Sequence, residues 1–194
     1  MNAAIELDLT APADDDDHSQ GPATAPVTVV EYADFECLHC ARAHPILQQL
    51  RDEIPDAFRL VFRHFPLLHD HPRAAGAARA AVAAGRQGRF WGMHHRLFEY
   101  QAYLNPGAFQ IHAEDLGLDL AQFNRDITDP QVTARVERDM ESGRASGVRG
   151  TPTFFINGVR YGDGWDLPLL RRAILTTAAR SSRPLLTLHQ GSWR

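Results

Sequence analysis

The sequence predicts an α/β fold in which a mixed central sheet is flanked by helices and interrupted by an inserted all-helical subdomain. Three observations predict it. A β-branched run at Val27 to Tyr32 leads into a helical pattern and then into a second apolar run at Phe58 to Phe65, the order of a β-α-β unit. From Arg73 to Ser146 the periodicity is helical throughout. Strand pattern returns only at Thr153 to Ile156, where Asn157-Gly158 marks a hairpin.

Taken in order, residues 1–20 are rich in Ala, Pro and Asp, and the run Asp14 to Asp17 repels itself, which predicts a disordered acidic arm. Order is expected to begin near Val27, after Pro26. Val27-Thr28-Val29-Val30-Glu31-Tyr32 reads as a strand buried on both faces. Cys37 to Ile54 then carries Ala41, Ile46, Leu47, Leu50 and Ile54 at helical spacing, so Cys37 falls near a helix N-terminus, with Pro45 expected to kink the helix. Phe58 to Phe65, ended by Pro66, is the second strand, and a right-handed crossover sets it parallel to the first. Helices follow at Arg73 to Ala84, Phe90 to Tyr100, Phe109 to Leu116, Leu120 to Ile127 and Pro130 to Ser146, with Asn105-Pro106-Gly107 and Asp129-Pro130 among the turns. After the hairpin strand Val159 to Tyr161, Asp166 caps a last helix from Leu167 to Ala179. The resulting division is a sheet domain of 21–72 and 147–180, a helical insertion of 73–146, and a polar tail of 181–194.

Composition excludes several functions. The chain is 44% hydrophobic and 23% charged, the balance of a folded protein. Its net charge is -4 and all 20 basic residues are Arg, so no polybasic surface for nucleic acid or membrane is offered. No stretch approaches the ~20 apolar residues of a membrane span. The first residues lack a positive, apolar leader pattern, which predicts a cytoplasmic protein, or a periplasmic one if the start site is misassigned.

The only two cysteines are Cys37 and Cys40. A thiolate is the attacking species in disulfide exchange, and a helix N-terminus favours it through free N–H groups and partial positive charge. Two intervening residues bring Cys40 about one helical turn away, near enough to form an exchangeable disulfide. Cys37 is then the nucleophile and Cys40 the resolving thiol. His39 can add a donor or positive charge, bringing the Cys37 pKa toward the activated range of about 3.5–7.5. Half of a zinc site is the competing reading; it needs other ligands, from His44 or from His64, His69 and His71, because no second cysteine pair exists. A structural disulfide is disfavoured, since so small a loop stabilises little.

The stretches VTVVEYADFECLHC and GTPTFFINGVRYGD, separated by a helical insert, resemble the thioredoxin-like fold of the DsbA family of thiol-disulfide oxidoreductases. Gly21-Pro22 with Ala25-Pro26-Val27-Thr28, and Phe90-Trp91-Gly92-Met93-His94, are similar to segments of the branch that includes domains fused to sodium/proton antiporters. The resemblance implies a cis peptide bond at Thr151-Pro152, with Thr151, Pro152 and Leu38 meeting substrate. It implies that Glu31 is a buried acid beneath Cys40 and a proton acceptor for it. His39 occupies the family's usual histidine position, whereas Leu38 replaces its common proline, leaving the direction of electron flow open. The implied partners are a protein or small-molecule thiol or disulfide and a redox partner protein or glutathione; no cofactor and no metal are expected. The alternative is a non-catalytic module that uses the groove at Pro152 to hold a peptide or partner. His94 and His95, with Phe90, Trp91, Phe98, Tyr100 and Tyr103, read as insert packing or helix surface rather than a cofactor box.

Overall fold

In the computed structural model, which describes residues 8–181, the strand Val27–Ala33 is buried at every position but Thr28. It is the second of five strands: β1 (His18–Gln20), β2 (Val27–Ala33), β3 (Phe58–His64), β4 (Thr153–Ile156) and β5 (Val159–Arg160). The helices are α1 (Leu38–Glu53), α2 (Ala74–Gly85), α3 (Phe90–Glu99), α4 (Pro106–Asp115), α5 (Leu120–Asp126), α6 (Pro130–Ala145) and α7 (Leu167–Ser181). The sheet runs β1-β3-β2-β4-β5. Strand β2 lies parallel to β3, from Val27 opposite Phe58 to Ala33 opposite His64, and antiparallel to β4. Helix α1 is the crossover between the parallel pair, as the β-α-β pattern requires. Asn157 and Gly158, at φ 48° and 80°, make the tight turn between β4 and β5.

Side-chain alternation sorts the sheet into two faces. Val27 and Val29 of β2 and Phe58 and Leu60 of β3 pack with Leu47 and Leu50 of α1 and Leu170 and Ile174 of α7. Val30, Tyr32 and Val61 on the opposite face pack with Ala78 of α2 and Val132, Val136 and Met140 of α6. Between β3 and β4, α2 to α5 gather around Phe90, Met93, Leu97, Phe109 and Phe123, a cluster that continues into Phe35, Cys37 and Cys40. The insert is therefore packed onto the cysteine loop itself. Asn105, Asp119 and Asp129 cap α4, α5 and α6 through their side chains. Helix α4 starts at Pro106, where the dihedrals of proline suit a first turn, so Asn105-Pro106-Gly107 is a helix start rather than a free turn. Residue 181 ends α7, and the tail of 182–194 lies outside the described residues.

The acidic arm is a correction to the sequence reading. Residues 8–20 are ordered, and His18–Gln20 forms β1, antiparallel to β3, with His18 opposite Phe62. The cause is Arg63 of β3, which is buried and needs an anion. Its guanidinium donates to both Asp17 carboxylate oxygens, at 3.0 and 2.8 Å, and to the carbonyls of Ala11 and Pro12. Burial alone would raise the Asp17 pKa, but the hydrogen bond from Arg63 and the nearby Arg135 hold it below the ordinary carboxylate range. The run does not repel itself because Arg63, Arg135 and Arg138 divide Asp16 and Asp17 among them.

Removing the Asp17 charge leaves Arg63 buried without its anion. Asp17→Asn is expected to lower stability by about 3 kcal/mol in urea unfolding. Amide exchange should also show residues 9–20 losing protection. Unchanged stability with full protection of the arm would contradict this role.

Candidate active site

Cys37 is the N-cap of α1, with extended backbone dihedrals of -75° and 121°, and no side chain among the described residues caps the helix there. The first-turn N–H groups are thus left to the Cys37 sulfur. Both cysteines are free thiols, Cys37 5% exposed and Cys40 fully buried. The hydrogen bond from the Cys40 thiol is the main reason the Cys37 pKa falls to about 5; burial opposes it, and Thr151 and the backbone N–H groups of Cys40 and His39 assist. Cys40 moves the other way, well above its ordinary value, through burial, its donated hydrogen bond and the negative charge that Glu31 carries once it ionises. One thiol is an anion at neutral pH and its neighbour holds its proton.

Glu31 shares the sheet face of Val27 and Val29, the face covered by α1. In register it lies between Phe62 on β3 and Phe154 on β4, at 2% exposure. Desolvation there raises its carboxyl to about 8. The Thr151-Pro152 peptide bond is cis, and the Thr151 carbonyl oxygen lies 3.3 Å from the Cys37 sulfur. Leu38, next in the chain to Cys37, is 69% exposed. His39 reaches Cys37 through its backbone N–H rather than its ring, which instead faces Trp165 edge-on at 6.4 Å between centroids. Cys37, Cys40, Glu31, Thr151 and Pro152 are thus brought together, with Leu38 and His39 on the rim.

Three further residues hold the loop, and sequence reasoning gave none of them this role, naming His71 only as a possible zinc ligand. Buried Asp34 accepts from the N–H groups of Glu36 at 2.7 Å and Leu67 at 2.8 Å, and its other contact is His71 Nδ1 at 2.7 Å. The imidazole of His71 loses some affinity for protons through burial but gains more from Asp34 and from the Cys37 charge, so its pKa is raised. Gln101 Nε2 donates to the carbonyls of Phe35 at 2.8 Å and Cys37 at 3.0 Å, tying the insert to the helix start. Asp34 left a sequence signal, a polar residue between strand end and cysteine motif that can organise a turn. Gln101 left none.

A zinc site built on the cysteines finds no support in the arrangement. The one cluster of three or more candidate ligands among the described residues joins His44, His94 and His95 and includes neither thiol. His94 is buried within the insert core against Phe62, Phe98 and Trp91, and His95 is half-buried against His44.

Comparison with known proteins agrees with this geometry. A family model described as Thioredoxin matches residues 13–174. The chain is 43% identical over 174 residues to the Na(+)/H(+) antiporter NhaA 1 of Salinispora arenicola, covering 89% of this chain and 26% of that protein. It is 41% identical over 173 residues to NhaA 1 of Mycolicibacterium vanbaalenii, covering 88% of this chain and 28% of that one. The chain spans about a quarter of the length of the curated relatives it matches. Among solved structures, a thioredoxin-like oxidoreductase from Silicibacter pomeroyi is similar at 32% identity and a TM-score of 0.77, covering 88% of this chain and 95% of that one. Alpha-DsbA1 of Wolbachia pipientis has the same fold at 23% identity and a TM-score of 0.77, covering 90% and 96%.

Thiolate absorbance of the reduced protein is expected to rise with a midpoint at about pH 5, with one thiolate per chain up to pH 9. A midpoint at 8 or above would contradict the assignment of Cys37 as the anion.

Proposed function

The chain belongs to the thioredoxin family, and from that premise we propose that it is a DsbA-like thiol-disulfide oxidoreductase working through Cys37 and Cys40. The observation that carries the reading is the separation of two neighbouring thiols in opposite directions, Cys37 toward the thiolate and Cys40 toward the thiol. Packing alone does not call for a low-pKa sulfur at a helix start, whereas exchange does.

In the reducing direction the Cys37 thiolate attacks one sulfur of a substrate disulfide. A Cys37–substrate bond forms, the substrate S–S bond breaks, and the other substrate sulfur leaves as a thiolate. In the fraction of molecules whose Glu31 is ionised, Cys40 then gives its proton to the Glu31 carboxylate and attacks the Cys37 sulfur. The Cys37–Cys40 disulfide forms and the remaining substrate thiolate is released, to be protonated from Glu31 or solvent. The substrate gains two electrons and the cysteine pair loses two. The oxidising direction is the reverse sequence. Glu31 suits the middle step because its carboxyl, at about 8, titrates in the range where it can both take and return a proton. Exposed Leu38 and the Thr151-Pro152 segment form the substrate-facing rim, where an extended chain can pair with the Thr151 backbone. Substrates are protein or small-molecule disulfides and thiols, and a second thiol system, a partner protein or glutathione, restores the pair. In the cytoplasm the pair rests as a dithiol and acts as a reductase or isomerase; in the periplasm it acts as an oxidant.

Cys37→Ser is expected to reduce insulin disulfides only at the background rate, and Cys40→Ser to accumulate a mixed disulfide through Cys37. Full activity in Cys37→Ser would overturn the mechanism. Glu31→Gln is expected to slow release of the mixed disulfide by about 100-fold.

Glu31 also sets a sign for stability against pH. The unfolded carboxyl ionises near 4.5 and the folded one near 8, so the unfolded state binds fewer protons between those values and wild-type stability falls as pH rises through them. Glu31→Gln is therefore expected to melt higher than wild type at pH 8 and almost equally at pH 4.5. A constant difference across this range would contradict a neutral Glu31.

A further inference from the structure

Two helices from different parts of the fold place three imidazoles at one point. His44 lies on α1, four residues beyond Cys40, and His94 and His95 lie on α3 of the insert. The ring centroids form a near-equilateral triangle, 5.1 Å from His44 to His94, 5.0 Å from His44 to His95 and 5.4 Å from His94 to His95. One ligand nitrogen from each lies within 4.8 Å of the other two. We propose that His44, His94 and His95 form a site for one divalent transition-metal ion, with Zn2+ as the first choice, that ties the active-site helix to the helical insert.

The chemistry of the donors selects the metal. Three imidazoles with no carboxylate among them suit Zn2+, Co2+, Ni2+ or Cu2+ and are a poor set for Mg2+ or Ca2+, which prefer oxygen. His44 Nε2 and His95 Nδ1 already stand 3.2 Å apart. Two nitrogens at ~2.0–2.1 Å from a tetrahedral ion lie about 3.3 Å from one another, so this pair is at bite distance. His94 is the observation that asks for a ligand. Its ring is buried, and neither Nδ1 nor Nε2 has a hydrogen-bond partner among the described residues. A buried imidazole is ordinarily fixed by a bond to at least one nitrogen, and a metal supplies one.

The surroundings permit entry and a fourth donor. His44 and His95 are half-buried, so an ion reaches them from the solvent side. Exposed Gln48, one turn beyond His44, has its amide nitrogen 3.2 Å from His95 Nδ1, and its amide oxygen or a water can complete the coordination. Burial holds all three imidazoles toward the neutral form that ligates, with the neighbouring histidines adding to this at His44 and His94. The charged groups acting on His95 are Arg51 and Glu99, of opposite sign.

The site is independent of the cysteine chemistry, and its test is built to keep the two apart. Untagged full-length protein with Cys37 and Cys40 joined as a disulfide is titrated with Co2+, followed by visible absorption, and with Zn2+, followed by calorimetry. One ion per chain is expected, with a four-coordinate nitrogen-rich spectrum and no sulfur-to-cobalt band. His44→Gln and His95→Gln, both at half-buried positions, are each expected to weaken binding by about 100-fold, while Cys37→Ser/Cys40→Ser binds as wild type. Zn2+ is also expected to raise the melting temperature of wild type and leave either folded histidine variant unmoved. Absence of binding to folded wild type at millimolar Co2+ would overturn the proposal. So would binding that survives both histidine variants and disappears in the cysteine variant. Failure of the oxidoreductase assays would leave these results unaffected.

Discussion

The hydrogen bond from the Cys40 thiol to the Cys37 sulfur, made at the start of α1, is the interaction on which the rest of the site depends. It lets one of two adjacent sulfurs carry charge while the other keeps its proton. Everything nearby is consistent with a single negative charge at that point. The N–H groups of the first turn face it, and Glu31 beneath stays neutral at pH 7 because a carboxylate between Phe62 and Phe154 would be desolvated and would add a second charge close by. His71 on the outer side gains proton affinity from the same sulfur. The geometry of the loop is held by polar groups that are themselves buried, Asp34 from within and Gln101 from the insert.

Strand β3 shows how few residues position this site. Phe62 lies opposite Glu31 and helps keep it dry. Arg63, its neighbour, points to the opposite face and draws the acidic arm onto the sheet edge through Asp17. His64 donates its backbone N–H to Asp139 at 3.1 Å, which lays α6 against the sheet. Three consecutive residues thus fix the acid, the arm and the insert. The insert returns to the cysteine loop through Gln101, and through the α1 to α3 contact where the histidines meet.

The sheet and helices were legible in the sequence because their signals are local. Val27 to Tyr32 is β-branched, Asn157-Gly158 suits the left-handed turn it makes, and Asn105, Asp119 and Asp129 cap their own helices. The cysteine pair was legible for the same reason, since motif, strand end and helix start fall within a dozen residues. Strand β1 was not, because His18, Ser19 and Gln20 carry no apolar periodicity and are held by partners far along the chain, the Arg63 contact to Asp17, the pairing with β3, and Phe90 and Trp91 of α3. Gln101 and the meeting of His44 with His94 and His95 depend on how the insert docks, which no local pattern encodes. His39 illustrates a finer limit. Its position in the motif was informative, but the backbone N–H and not the imidazole faces the sulfur.

A thiolate preferred by the fold stabilises the reduced protein, and the disulfide form has no such charge to hold. The most direct measurement compares the unfolding free energies of the dithiol and disulfide forms of the full chain as a function of pH. A Cys37 pKa of about 5, below an unfolded value near 9, adds stability to the dithiol form progressively between those limits, at about 1.4 kcal/mol per pH unit. The account predicts that the dithiol form gains on the disulfide form from pH 5 upward and is the more stable of the two at pH 7. A disulfide form that stays more stable throughout this range, with a difference independent of pH, would contradict it.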